Sequence, residues 1–493
     1  MTGDRNLAER LARTARDQGW LDRPAYLTES TVHRYADVFA GAERVAGFLS
    51  ASGVGRGDRV LASLPDGIDL VWTVLGTLRL GAIVALVNAD LHPDELRQTA
   101  ELARPKLTVA DPRIAGVFDG ATVTPALIPS EPGRFPVPAA AECDMDTPGI
   151  ALLTSGTTTG RPRLCFHTHG DPYVFDSAFG RVLDLKPDDV SLSVSRMYFS
   201  YGLGNTLLYP LLSGSAAVLA PERPAPVAAL AAIRDLGVTV FYAQPSFYAR
   251  LLAEPDPSPL DGLRLAVTAG EVLAPALEAD LREVLGGRLL NVLGTTEVGQ
   301  VFAANSPAEA REGTVGRCLS PFRVRLVDDE GEPLPAGGEG NLQVAGPTIA
   351  PGIGSPSEVP RHGESTWWPT GDTATVDDDG YIRIHGRADD IEIVGGQNVH
   401  PAEIEDVLAQ HPLVIEAAVC STRAGDGTSR LLAYVIAKGD ESGHATIRGE
   451  LADSAKERLT WYKVPSEIIF VAELPRTSTG KLSRRQLRTQ AAG

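Results

Sequence analysis

The sequence predicts an α/β protein: a large N-terminal unit of parallel sheets flanked by helices, carrying a small antiparallel barrel-like sheet, followed by a small α+β unit. Three observations predict this class. Up to Gly313, short apolar runs bounded by Gly and Pro alternate with helix-like stretches, the pattern of parallel sheets covered on both faces. After Gly313 the pattern changes to alternating residues with Gly-rich turns. Beyond "GYIRIHGRADD" (380–390) a new set of strands and helices begins. At 493 residues and 43% hydrophobic content, the chain can bury one large core and a second, smaller one.

The elements follow in chain order. "MTGDRNLAERLARTARDQGW" (1–20) mixes acids and bases at helical spacing and lacks the apolar centre of a signal peptide. From Arg34 to Gly53, Val38, Ala42, Val45, Phe48 and Leu49 recur at three- and four-residue steps, an amphipathic helix that "GVGRGD" stops. "RVLASLP" (59–65) follows as a strand. "IDLVWTVLGTLRLGAIVALV" (68–87) reads as helix, Gly turn and buried strand, because a spanning segment would place Arg79 in lipid. "LTVAD", "SAAVLAP", "VTVFYAQP", "LRLAVTAGE" and "LLNVLGTTE" read as further strands, with a helix at "PVAALAAIRDLG" (226–237). "ERPAPV" and the Pro-rich "IPSEPGRFPVPAA" (128–140) are loops. "FRVRLVDDEGEPLPAGGEGNLQVAG" (322–346) turns at "DEG" and "AGGEG", which indicates the antiparallel sheet. The last unit has a helix at "PAEIEDVLAQH", strands at "IEAAVCS" and "LLAYVIA", and a basic tail.

A formal charge of -18 argues against a nucleic-acid or anionic-membrane partner, since such surfaces attract excess Lys and Arg; a local basic pocket is compatible with it. Cys143, Cys165, Cys318 and Cys420 stand far apart with no CxxC pair, so neither a zinc site nor a disulfide framework is expected, and a reducing cytoplasm fits.

The most unusual stretch is "ALLTSGTTTGRPRLCFHTHG" (151–170), in which seven small or hydroxylated residues follow an apolar run. Such residues offer backbone N–H groups and hydroxyls with no bulky side chain in the way, which suits wrapping around phosphate oxygens. No Gly-Lys-Ser/Thr closes it, so it is not a Walker A loop, and a flexible linker is the plain alternative.

Taken with "GTTE" (294–297), "TGD" (370–372), "GRADD" (386–390), "GGQNVHPAEIE" (395–405) and "PRTSTGKL" (475–482), "TSGTTTGRPR" (154–163) resembles the ordered motif series of the adenylate-forming superfamily. This group holds acyl-CoA synthetases, carrier-protein adenylation domains and firefly-type luciferases. The resemblance runs from about Tyr35 to Leu487, and "YFSYGLGN" (198–205) is most similar to benzoate-CoA ligases and other aryl-acid activators. Two departures stand out. The loop is one residue longer than is usual and carries Arg163 where the family has Lys, which keeps the charge but presents a planar fork. Leu293 occupies the place of an aromatic residue that stacks on adenine.

The resemblance implies two half-reactions: a carboxylate attacks the α-phosphate of MgATP with loss of pyrophosphate, and a thiol then attacks the acyl-adenylate. Both concentrate negative charge, so they need pre-aimed cations and donors. It implies that Thr154, Ser155, Gly156, Thr157, Thr158 and Gly160, with Arg163, hold the β- and γ-phosphates. Thr296 falls on the α-phosphate and Glu297 on Mg²⁺; Gly270, Glu271 and Thr295 complete the nucleotide set. Asp372 takes the ribose hydroxyls with Arg387 beside it, and Lys481 bridges the acid and the α-phosphate. By the same resemblance, residues 1–388 form the adenylation core and 389–493 a mobile domain that turns about Asp389, bringing Gly395 and Gly396 to the thiol path. The implied co-substrates are ATP with Mg²⁺, a small aromatic acid, and CoA or a pantetheinyl acyl carrier protein.

Carried over position by position, the acid pocket is Ser200, Tyr201, Ala269, Gly270, Gly294, Gln300 and Val301, small walls with a Tyr edge that suit a flat ring. Gln300 stands where benzoate activators have His, and with Ser200 it points to a hydroxy- or amino-substituted benzoate; a buried, internally bonded Gln is the plain alternative. The "HTH" at 167–169 lacks a nearby third ligand and is assigned no metal. Two other outcomes keep the same fold: capture of the aryl-adenylate by an amine or hydroxyl, and a nucleotide-binding pseudoenzyme, against which Glu297, Asp372 and Lys481 count.

Overall fold

The structure, a computed structural model, describes residues 5–131, 133–154, 163–335, 337–350, 367–390, 392–394, 397–423, 429–439, 443–476 and 482–491. Among these, two large sheets with parallel interiors organise the N-terminal unit. The first runs Thr122–Val123, Leu107–Ala110, Arg59–Ser63, Ile83–Leu86, Pro148–Thr154, Arg163–Thr168, parallel except for its last pair. The second runs Arg317–Cys318, Val301–Ala304, Leu289–Gly294, Leu265–Thr268, Val240–Ala243, Val190–Ser193, Ala216–Val218, Pro24–Leu27, Val32–Arg34. Its middle is parallel and its two ends are antiparallel.

The strands form where apolar runs meet Gly or Pro, and their pleat sorts side chains between layers. Val60 and Ala62 of the first sheet and Val240 and Tyr242 of the second turn into one central core, together with the apolar faces of the helices Tyr35–Ala51 and Ile68–Arg79. Leu61 and Phe241 face the opposite ways, into two outer cores. The helices therefore lie between the sheets, and all four residues of Val240–Ala243 are buried, each large apolar side chain contributing about 1.5–3 kcal/mol. The apolar stretch after Gly67 is the helix Ile68–Arg79, a turn at Gly81 and the strand Ile83–Leu86, and Arg79 pairs with Glu9 and Glu43. No helix among the described residues is long and apolar enough to cross a membrane.

The antiparallel segment is a four-stranded sheet in chain order, Arg323–Val327, Glu339–Ala345, Trp368–Val376 and Ile382–Arg387. A short turn, Ala388–Asp390, which contains Asp389, leads to the paired strands Glu392–Val394 and Gln397–Val399. The remaining unit sets the sheet Val414–Arg423, Ser429–Ala437, Glu467–Phe470 against the helices Pro401–Ala409 and His444–Arg458. The basic tail is a helix, Arg484–Ala491, rather than a solvated arm. Arg484 is drawn inward by Glu405 at 2.5 Å and Asp390 at 3.3 Å; burial works against its charge, but these carboxylates hold its pKa above the ordinary arginine value.

Candidate active site

The Ser/Thr/Gly segment is framed by a hairpin. Pro148–Thr154 ends at Thr154, which pairs in register with Arg163 at the start of the antiparallel strand Arg163–Thr168. Ser155, Gly156, Thr157, Thr158 and Gly160 lie outside the described residues, as do Gly395, Gly396 and Lys481. Two strand residues inward is Cys165, whose thiol burial pushes well above its ordinary pKa. The Glu297 carboxylate adds to that rise and Arg163 opposes it, so both charges bear on one buried atom beneath the hairpin mouth.

Glu297 sits on the turn after the strand Leu289–Gly294. The turn closes on itself: the Thr295 hydroxyl accepts from the Val298 N–H at 3.2 Å and the Thr295 carbonyl accepts from Gly299 at 3.0 Å. It is tied outward by the Ala350 N–H on the Glu297 carbonyl at 2.7 Å, the Thr348 hydroxyl on the Val298 carbonyl at 2.7 Å, and His167 on the Thr296 carbonyl. These bonds fix the backbone while the Glu297 carboxylate, half-buried, forms no ion pair among the described residues. A single carboxylate of this kind is one that Mg²⁺ could use, since the ion prefers few protein ligands and several phosphate or water oxygens. Among the described residues no cluster of three His, Cys, Asp or Glu side chains is placed to hold a metal by itself.

Asp372 is buried on the four-stranded sheet directly opposite Arg387. Arg387 donates to the Thr370 carbonyl at 2.8 Å and to Asp372 Oδ1 at 3.3 Å, and the Asp372 N–H donates to the Thr370 hydroxyl at 3.1 Å. The guanidinium thus sets the orientation of the carboxylate. Val298 and Phe302 share one core with Ala374 and Ile382, which connects this sheet to the Glu297 turn.

The expected acid-pocket residues meet the other end of that turn. Gln300 and Val301 are buried, Ser200 and Ala269 nearly so, and Gly270 and Gly294 are exposed at strand ends. The Tyr201 ring stands edge-on to Tyr242 with centroids 6.1 Å apart, its hydroxyl 3.5 Å from the Val267 carbonyl oxygen. Gln300 is bonded internally: its Nε2 donates to the Ser200 carbonyl, and its Oε1 accepts from the Tyr209 hydroxyl at 3.2 Å. The Gln300 amide is therefore engaged at both ends within the protein, and Ser200 meets it through its backbone.

Glu271, expected in the nucleotide set, is engaged by protein partners. Its carboxylate accepts from the Ser246 N–H and hydroxyl, both at 3.1 Å, and lies 3.5 Å from Arg476 of the C-terminal unit. In the "HTH" segment, His169 Nδ1 accepts from the Leu7 N–H at 3.0 Å and burial lowers its pKa to about 4, whereas His167 reaches the Thr296 turn. Sequence reasoning missed His167, Tyr209 and Arg476. The "HTH" and the Arg of "PRTSTGKL" were visible, but the partners that define them lie far along the chain.

The model of the AMP-binding enzyme family matches residues 11–353, and that of the AMP-binding enzyme C-terminal domain matches 403–481. The chain is 38% identical to the p-hydroxybenzoic acid–AMP ligase FadD22 of Mycobacterium tuberculosis over 99% of its own length and 69% of that protein. It is 31% identical to a 4-hydroxybenzoate–CoA/benzoate–CoA ligase of Rhodopseudomonas palustris, covering 99% of this chain and 93% of that one. The crystal structure of the anthranilate CoA ligase AuaEII in complex with anthranoyl-AMP superposes with a TM-score of 0.89 at 30% identity, over 99% of this chain and 97% of that one.

Proposed function

Because this chain belongs to the AMP-binding, adenylate-forming enzymes that ligate aryl acids, we propose that it converts a hydroxy- or amino-substituted benzoate to the aroyl-AMP and passes the aroyl group to a pantetheine thiol. The observation that carries this reading is the double use of one turn. The Thr296 carbonyl is bonded by His167 of the strand that begins at Arg163, opposite Thr154, and the Glu297 charge bears on Cys165 of the same strand; Gln300 and Val301, a few residues on, wall the slot beside Ser200 and Tyr201. A ring held in that slot has its carboxylate directed at the phosphate side. The names of the relatives, p-hydroxybenzoic acid, benzoate and anthranilate ligases, support a substituted ring.

In the first step a carboxylate oxygen forms a bond to the α-phosphorus and the bond to pyrophosphate breaks. Arg163 and the hydroxyl loop beginning at Thr154 balance the leaving charge, Thr296 and Lys481 balance the α-phosphate, and Asp372 fixes the ribose. Mg²⁺, held by Glu297, would neutralise phosphate charge. In the second step the thiol sulfur bonds to the acyl carbon and AMP leaves. Turning about Asp389 removes Lys481 and admits the thiol past Gly395 and Gly396. Domains 1–388 and 389–493 supply the two sides of this exchange.

The test is acid-dependent ATP–pyrophosphate exchange with a panel of substituted benzoates, trapping with hydroxylamine, and then addition of CoA or a pantetheinyl carrier protein. Lys481→Ala is expected to lower exchange by about a hundredfold or more, the scale of losing one transition-state donor. Exchange with no thioester on either thiol points instead to direct amide or ester formation. No exchange with any acid overturns the reading in favour of a nucleotide-binding pseudoenzyme.

A further inference from the structure

Outside both half-reactions lies an ionic cluster where the C-terminal unit rests on the large one. Arg476 is held at its own backbone by a bridge to Leu482. Its Nη2 donates to both carboxylate oxygens of Glu416, of the strand Val414–Arg423, at 2.6 and 2.7 Å, which leaves Nη1 for the large unit. From there it crosses to the large unit, 3.5 Å from Glu271 and 3.2 Å from the Ser246 hydroxyl. Glu271 in turn receives the Ser246 N–H at the start of the helix Pro245–Leu252, so the contact is anchored on a regular element. The side chains of Arg476, Glu271 and Glu416 are 19%, 17% and 14% exposed, and pairs this sheltered respond to the loss of one partner far more than surface pairs do.

The surroundings make this contact sensitive to position. Arg223 and Arg250 stand close by; burial lowers the pKa of each, and the Arg476 charge lowers both further. Burial raises the pKa of Glu416, Arg476 pulls it back, and Glu271 pushes it up again. Two carboxylates, one from each unit, therefore face each other across one guanidinium. With Arg476 removed or displaced, they repel.

We propose that the Arg476–Glu271 contact is the latch that holds the C-terminal unit in the arrangement used for aryl-adenylate formation, and that it opens before the thiol step. This rests on the two-step reading above. The superposition on a ligase containing an acyl-adenylate spans both units, which supports assigning the contact to that arrangement. In sequence Arg476 stands five residues before Lys481, so the latch acts on the segment that carries the expected adenylation lysine. Arg476 is on this view a positioning residue, and its removal should slow one half-reaction selectively.

The experiment compares the two half-reactions in wild-type protein, Arg476→Ala, Glu271→Gln and the double variant. Aryl-acid-dependent ATP–pyrophosphate exchange is expected to fall about five- to fiftyfold in Arg476→Ala, the usual range of a coupling between two states. Thioester formation from supplied, chemically made aryl-AMP should stay within about twofold of wild type or rise, since that step needs the contact broken. The effects of Arg476→Ala and Glu271→Gln should be non-additive. Arg476→Lys, which keeps the charge and loses the fork, should fall between. Thermal melts of Glu416→Gln separate damage to the C-terminal unit from loss of the latch.

Equal losses in both half-reactions, or additive effects of Arg476→Ala and Glu271→Gln, overturn the latch. Small-angle scattering of the substrate-free protein gives a readout independent of chemistry: Arg476→Ala should broaden the distribution of interdomain distances, and an unchanged profile also overturns it. Failure of the wild type to exchange with any aryl acid overturns the two-step reading instead, while the scattering comparison still decides whether Arg476 couples the two units.

Discussion

The Nε2 atom of His167 lies 2.8 Å from the carbonyl oxygen of Thr296, joining the strand after the Ser/Thr/Gly segment to the turn that bears Glu297. A carbonyl only accepts, so Nε2 carries the proton of this bond. Asp171 stands at the other edge of the ring, 3.3 Å from Nδ1, and is itself fixed by the Thr168 N–H at 3.0 Å and hydroxyl at 2.6 Å. The ring fits because residue 299 is glycine with φ +92°: a Cβ there would come 2.7 Å from His167 Cε1 and 2.5 Å from Phe175 Cζ.

His167→Ala is expected to lower aryl-adenylate formation about ten- to hundredfold, the effect of freeing a buried carbonyl and loosening the turn by about 1–3 kcal/mol. His167→Gln, which keeps an N–H donor, should recover part of the loss. Acid-dependent ATP–pyrophosphate exchange, with melting temperatures for each variant, measures this, and equal activity of His167→Ala and wild type contradicts it.

Gly204→Ala should damage the acid slot and spare the nucleotide side. A Cβ at this position would lie 2.2 Å from Gln300 Nε2 and 2.6 Å from its Cδ, forcing the amide off the Ser200 carbonyl and Tyr209. Overpacking of this kind costs about 1–3 kcal/mol, so KM for the aryl acid is expected to rise about tenfold or more with KM for ATP within about twofold.

Asp372→Ala should do the reverse. The Arg387 guanidinium would keep its bond to the Thr370 carbonyl while losing the carboxylate it orients. Loss of hydrogen bonds to a charged group costs about 1.5–3 kcal/mol, so KM for ATP is expected to rise about ten- to hundredfold in the exchange assay. A KM for ATP unchanged in this variant excludes Asp372 from the ribose site.

Asp406, on the helix Pro401–Ala409, predicts a pH dependence. Burial first, then the Glu405 and Glu403 charges, raise its pKa from 3.8 to about 7. A carboxyl with a raised folded pKa adds stability that is fully present below pH 3.8 and is lost as pH rises towards 7. Asp406→Asn, which cannot ionise, is therefore expected to be more stable than wild type at pH 8, by about 1–3 kcal/mol. The gap should shrink as pH falls from 7 towards 4. Denaturant titrations at several pH values, followed by far-UV circular dichroism, measure it, and a gap that widens on acidification contradicts it.

Much of the fold could be read from the chain because its signals are local. Val240–Ala243 shows as an apolar run closed by "QP", and Ile68–Arg79 ends where Leu80 and Gly81 break the helix. Strand order could not be read, since Val190–Ser193 lies between Ala216–Val218 and Val240–Ala243 through crossovers that no short stretch encodes. The same distinction divides the site. Thr154, Glu297, Asp372 and Lys481 belong to short motifs. The turn of Gln300 onto Ser200 and Tyr209, and that of Glu271 onto Ser246 and Arg476, depend on packing between distant segments. Arg484 illustrates the limit of composition: within a basic tail it has the appearance of a solvated charge, yet it is sequestered by Glu405 and Asp390.

The pairing of Thr154 with Arg163 bears on how such a loop can vary. A segment that leaves one strand and returns on its hydrogen-bonded neighbour has its ends fixed about 5 Å apart, whatever lies between. An additional residue between these ends leaves the ladder register of both strands intact, and the sheet is insulated from changes in the length of the segment that joins them. The length of the segment and the integrity of the sheet are in this way separable traits, open to independent drift.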